Sequence, residues 1–180
     1  MNDLSLHIID ILQNSISAGA TLVTLTVEED TVADMMRITI EDNGRGMTPE
    51  QVAKLSDPFF TSRTTRRVGM GIPLFRQTAE QSGGGLTVGS EPGRGTKVTA
   101  TFGWSNIDRP PLGNLANSFI LTVTANPEID FVLDYVYNGR EYRFDTVEVK
   151  EALDGLSLGN PQVVMMLDEM VRENINDLRE

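Results

Sequence analysis

The sequence predicts an α/β chain, and three observations carry that prediction. Stretches with apolar residues at helical spacing alternate with runs rich in β-branched residues, glycine and proline cluster at the joints, and no apolar run approaches the roughly 20 residues of a membrane span. A chain of 180 residues has room for one core, or for one core and a small appendage. Its content of 39% hydrophobic and 23% charged residues is that of a soluble globular protein rather than a disordered one.

Leu4, Ile8, Ile11, Leu12 and Ile16 share one face of a first helix, which Gly19 stops. Residues 21–27 interleave threonine with Leu22, Val23, Leu25 and Val27 and read as a strand, as do residues 35–40. Thr48, Pro49 and Gln51 open a short helix reaching about Leu55, with a hydroxyl cap, proline at the first position and a T-x-x-Q capping pattern. Residues 61–68 are polar and arginine-rich and read as a loop; a helix then spans 71–82 and ends at Gly83, Gly84 and Gly85. Strands over 86–88 and 97–102 flank the turn Pro92-Gly93-Arg94-Gly95.

Residues 106–117, with Pro110, Pro111 and Gly113, lack periodicity. The chain is therefore divided into a domain at 1–103, a linker at 104–117, with Trp104 as a linker or packing element, and a small α+β module at 118–180. In that module residues 119–124, 129–137 and 142–144 read as strands, and Asn138-Gly139 is a type I′ hairpin signal. Two helices close the chain, the second capped by Asn160 with Pro161 at its first position. Met165, Met166, Leu167, Met170 and Val171 on it are expected to pack against the meander. The module could be a homodimer interface, a dock for a protein partner or a completion of the core.

The formal charge of −11 repels nucleic-acid phosphate and anionic lipid, so neither nucleic acid nor membrane is an expected partner. Residues 1–103 hold 9 basic and 12 acidic side chains, and residues 104–180 hold 6 and 14. The near-neutral first part, with its arginine cluster, suits a polyphosphate better. Zero cysteines and one histidine exclude a disulfide framework, a thiolate metal site and an imidazole zinc cluster. The opening residues show no basic leader and no cleavage site, which places the chain in the cytoplasm.

Four segments carry candidate chemistry. Asp10 and Asn14, one helical turn apart, share a face where an amide oxygen beside a carboxylate can coordinate Mg²⁺ and orient a nucleophile. Alone, such a pair is more often solvated helix surface. Glu41-Asp42-Asn43-Gly44-Arg45-Gly46-Met47 follows a strand; its glycines let backbone approach a flat ligand and its aspartate can accept a hydrogen bond from an exocyclic amine. An ordinary turn is the plain alternative. Gly69-Met70-Gly71 opens a helix beyond Arg63, Arg66 and Arg67, presenting backbone amides to phosphate. Thr96, after Gly93 and Gly95, can offer a hydroxyl to the same site. His7, on the helix of Asn14, reads as a partly buried structural histidine.

In this order the segments resemble the GHKL superfamily of histidine kinases, MutL, gyrase-type topoisomerases and heat-shock chaperones, over residues 1–103. Asp10 and Asn14 match the N box, DNGRGM the D-x-G-x-G box, DPFFTSR with Phe59 and Phe60 the histidine-kinase F box, and GMGIPLFRQTAEQSGGGLTVGSEPGRGTKVTATF the second glycine box and closing hairpin. The resemblance implies a two-layer α/β sandwich of the Bergerat type, a mixed sheet with helices on one face. It implies ATP and Mg²⁺ as ligands, with Asn14 on the metal, Asp42 on the adenine amine, and Gly44, Gly46 and Met47 around the base. Gly69, Met70 and Gly71 would hold phosphate, Phe60 and Arg63 would line the lid, with Arg66 or Arg67 as further lid cations, and Thr96 would support the aspartate.

NSISAGAT is closer to the MutL version, whereas the short lid between Phe60 and Gly69 is kinase-like. MutL and chaperone members carry glutamate at the Asp10 position to activate water; aspartate, one methylene shorter, is the candidate general base here. Thirteen residues precede Asn14, so no phosphoacceptor hairpin and no autophosphorylation of the usual histidine-kinase kind are expected. The reading this favours is a stand-alone regulatory protein kinase or ATPase acting on a protein partner, similar to anti-sigma serine kinases. A non-catalytic ATP sensor is the second reading and a MutL-like ATPase the third.

Overall fold

The computed structural model describes residues 3–55 and 71–180. Asp3 caps α1 (Leu4–Ser17), its carboxylate accepting the Leu6 N–H at 3.2 Å, and Leu4, Ile8, Ile11 and Leu12 bury the predicted apolar face. There follow β1 (Leu22–Asp30), β2 (Met35–Asp42), α2 (Pro49–Lys54), α3 (Gly71–Gln81), β3 (Gly85–Glu91) and β4 (Gly95–Gly103). Beyond residue 103 come α4 (Leu115–Ala125), β5 (Asp130–Tyr137), β6 (Arg140–Asp145), α5 (Thr146–Leu153) and α6 (Pro161–Leu178).

The strands form one mixed six-stranded sheet in the order β3-β4-β2-β1-β5-β6, in which only β1 and β5 run parallel. Period-two alternation buries Val23, Leu25 and Val27 of β1, Met36, Ile38 and Ile40 of β2, and Phe131, Leu133 and Tyr135 of β5, while Thr24, Thr26 and Glu28 stay partly exposed. Over the buried face α1 packs on α3 and α4, and α4 packs on α6, which completes the two-layer α/β sandwich.

Residues 119–124, expected as a strand, are the middle of helix α4. The segment's β-branched residues pointed to a strand, but Thr122 and Thr124 return their hydroxyls to the carbonyls of Ser118 and Ile120, each at 2.9 Å, and Phe119, Ile120 and Val123 bury fully between layers. Asn138 and Gly139 both have positive φ, 48° and 83°, as the expected type I′ turn requires. On α6 Leu167 and Val171 are buried whereas Met165 and Met166 are exposed.

The residues after 103 extend the same sheet and share one hydrophobic cluster with the rest. β5 pairs with β1 from Leu22 with Asp130 to Glu29 with Tyr137. Residues of the stretch expected as a linker are tied to α1, because the Leu4 and Ser5 N–H groups donate to the Pro111 and Leu112 carbonyls at 2.8 and 3.0 Å. Beneath this stretch lies Glu29, 2% exposed, whose carboxylate accepts from Trp104 Nε1 at 3.0 Å and from the Tyr135 hydroxyl, with Arg179 at 3.5 Å. Burial and the Glu29 charge push the Tyr135 hydroxyl far above its ordinary pKa, so it stays a donor.

Candidate functional site

Asp42 is the last residue of β2, opposite Val23 of β1 and Thr96 of β4. Its carboxylate is held from two sides: Ser15 Oγ donates to Oδ2 at 2.6 Å and the Gly44 N–H to Oδ1 at 2.8 Å. Ser15 can do so because it falls on the same buried stripe of α1 as Ile8, Ile11 and Leu12. Asn43 fixes the turn from the other side, accepting the Thr21 and Leu22 N–H groups at 2.8 and 3.0 Å and donating to Thr21 Oγ1 at 2.8 Å.

The two glycines of the turn have no room for a side chain. A β-carbon on Gly44 would lie 2.8 Å from Ala18 Cβ, and one on Gly46, where φ is +71°, would lie 1.9 Å from the Glu91 carbonyl oxygen. The next residue, Met47, donates its N–H to Ser90 Oγ at 2.8 Å. Ser90 in turn donates to the Gly95 carbonyl at 3.0 Å, which leaves Thr96 Oγ1, 2.8 Å away, to donate to Ser90. Thus Thr96 stands beside Asp42 on the ladder but bonds through Ser90, while Ser15 and the Gly44 amide hold the aspartate.

These groups border a cavity of about 310 Å³. Its walls are apolar, from Ile11, Ile40, Met47, Ile72 and Val98, and its polar groups are Asn14, Ser15, Ser17, Asp42 and Thr96, with Arg45 and Gln51 from the glycine turn and α2. A largely apolar lining with a single carboxylate, Asp42, suits a flat heteroaromatic ring that brings a donor to it.

Asp10, Asn14 and Gly71 come together as well. A β-carbon on Gly71, the first residue of α3, would lie 3.2 Å from Asp10 Cβ and 3.7 Å from Asn14 Nδ2. The start of α3 is thus packed directly on the D-x-x-x-N face of α1, with Asp10 exposed and Asn14 half-buried. His7 is half-buried between the same two helices, stacked on Phe75 at 5.3 Å and 3.2 Å from Thr78 Oγ1. Burial lowers its pKa, against the opposing pull of Asp10 and Asp3. Phe60, Arg63, Arg66, Arg67, Gly69 and Met70, expected on the lid and phosphate side, lie outside the described residues. Sequence reasoning missed Ser15 and Ser90; for Ser15 the signal was a hydroxyl placed on an otherwise apolar helical stripe.

Residues 2–105 match the family described as histidine kinase-, DNA gyrase B- and HSP90-like ATPase. The chain belongs to this ATPase family. It is 32% identical over 101 residues to sensor protein DegM of Bacillus sp. (strain B21-2), covering 56% of this chain and 27% of the relative. It is 37% identical over 92 residues to sensor protein kinase FleS of Pseudomonas aeruginosa, covering 51% and 23%. A solved structure, the Aquifex aeolicus MutL ATPase domain complexed with ADP, aligns at 19% identity and TM-score 0.47 over 83% of this chain and 66% of that one. The match to DegM and FleS therefore spans about a quarter of those relatives' length.

Proposed function

We propose that this ATPase-family chain binds ATP with Mg²⁺ at Asp42 and acts as a regulatory protein kinase or ATPase on a protein partner, similar to anti-sigma serine kinases. The observation that carries the proposal is the doubly anchored Asp42 carboxylate in the lining of a largely apolar cavity of about 310 Å³. There it accepts the hydrogen bond of the adenine amine. The opposite end of the ligand then meets the start of α3, where Gly71 abuts Asn14 and Asp10.

Magnesium fits this corner by its donor chemistry. Among the described residues no group of three or more acidic or histidine side chains could hold a metal alone, and an ion that keeps its waters and shares phosphate oxygens needs only one or two protein oxygens, here from Asn14 with Asp10 beside it. When bound, the ion would neutralise phosphate charge. Asp10, exposed and within reach of that corner, orients an attacking hydroxyl or water and takes its proton. Two features support a protein rather than a nucleic-acid partner: the charge of −11, and the sensor-kinase names of the relatives, which point to signal transduction.

Titration with ATP, with and without Mg²⁺, tests the binding half. Asp42→Asn is expected to weaken binding about 10- to 100-fold, the equivalent of about 1.5–3 kcal/mol for a lost charge-assisted hydrogen bond. Absence of saturable binding at millimolar ATP would overturn the proposal. Phosphate release, and label transfer to proteins of the native extract, test the other half; Asp10→Ala should remove both while leaving binding intact. Binding without either activity would assign the chain to the sensor reading instead.

A further inference from the structure

A second cavity, also of about 310 Å³, lies at the opposite end of the helix layer. Glu29 and Met36, which pair across the far end of the β1–β2 ladder from Asp42, form part of its wall, and the first turn of α4 and the last turns of α6 enclose it. Its electrostatics run against those of its surroundings. Residues 104–180 carry 6 basic side chains against 14 acidic ones, yet three of those six, Arg109, Arg172 and Arg179, border this one cavity.

Among the described residues Glu29 is the only carboxylate in its lining, and it already takes the Trp104 and Tyr135 donors and Arg179. Arg172 is paired one turn back with Asp168. Arg109 is half-buried and donates to two backbone carbonyls, Trp104 at 2.7 Å and Pro110 at 3.2 Å; among the described residues no carboxylate lies within 4 Å of it. A guanidinium with donors left over and no carboxylate in direct contact can take an oxyanion in its planar fork. The first turn of α4 adds to the positive potential, because the buried Leu115 and Ala116 at the cavity wall have N–H groups with no acceptor inside their own helix. Leu112, Leu115 and Ile175 supply an apolar side.

We infer that this cavity is a binding site for a small organic oxyanion, a carboxylate or phosphate group carried on an apolar body. The oxyanion takes Arg109 and Arg172, and the body lies against Leu112, Leu115 and Ile175. The inference is independent of what happens at Asp42.

The chain reports on this site by itself, because its single tryptophan, Trp104, donates to Glu29 at the cavity wall. Titrating the full chain with benzoate, phenyl phosphate and inorganic phosphate, followed by Trp104 emission and by calorimetry, should give saturable binding of an aromatic anion that weakens with added salt. Benzoate against phenyl phosphate distinguishes the head group. Arg109→Gln and Arg172→Gln should each weaken binding about tenfold or more, whereas Arg109→Lys retains part of it and Asp42→Asn changes nothing. Circular dichroism checks folding; should Arg109→Gln fail to fold, the exposed Arg172→Gln carries the comparison. No saturable response to any probe at millimolar concentration, an affinity unmoved by both glutamine variants, or equal affinity for inorganic phosphate would overturn the inference.

Discussion

Ser15 and Asp42 are 27 positions apart, and the 2.6 Å bond between them fixes the carboxylate on which the proposed nucleotide site turns. Asp42, Gly44 and Gly46 could be read from the sequence because a short run of special residues must occur in a fixed order to turn the chain sharply after a strand. Ser15 and Ser90 could not, since a single hydroxyl gains its role only from what tertiary packing places beside it. Gly46 is the strictest position: with φ at +71° and the Glu91 carbonyl 1.9 Å from a would-be β-carbon, Gly46→Ala should cost at least about 1–3 kcal/mol by chemical denaturation and abolish nucleotide binding with it. His7 gives the chain a pH dependence of known sign. Burial holds its folded pKa below the ordinary 6.5, so the unfolded chain binds more protons as pH falls toward and through that range, and stability is lost on acidification and complete above it. Between about pH 7.5 and 5.5 the denaturation midpoint of the wild type should fall more steeply than that of His7→Gln.

At the scale of elements, α2 illustrates a helix made by its ends. None of its residues is buried, and it is held by a reciprocal capping box in which Thr48 Oγ1 accepts the Gln51 N–H at 3.2 Å and Gln51 Oε1 accepts the Thr48 N–H at 2.9 Å. That helix was legible from T-P-x-Q alone, because capping is local chemistry. Thr48→Ala should release about 1 kcal/mol of local stability. The expected result is faster hydrogen exchange at Val52 and Leu55 and weaker nucleotide binding, since Gln51 and Leu55 border the cavity, with little change in Tm. Helix α4 is the opposite case. Its threonines and aromatic residue carry strand propensity, and what makes it helical, burial against α1 and α6 on several sides, is not written in the segment itself.

For the whole molecule, the alternation of helix and strand announced an α/β sandwich, but not which strand would neighbour which. Pro110, Pro111 and Gly113 break the local periodicity and so look like a boundary, whereas the β1–β5 ladder across that break is a pairing between remote residues that no local pattern encodes. A chain ended after Gly103 tests what the ladder contributes. It leaves β1 as an edge and strips Val23, Leu25 and Val27 of Phe131, Leu133 and Tyr135 beside them. Size-exclusion chromatography should show this fragment associating or aggregating, with separately prepared residues 104–180 restoring the behaviour of the full chain; a well-behaved monomeric fragment would mean that 1–103 stands alone. The same ladder sets a clock. On the ribosome, β1 waits with one side open from the emergence of Asp42, which completes β2, until Tyr137 follows, roughly 5–20 seconds at ordinary rates of synthesis, and in that interval the nascent chain is open to capture by the wrong strand.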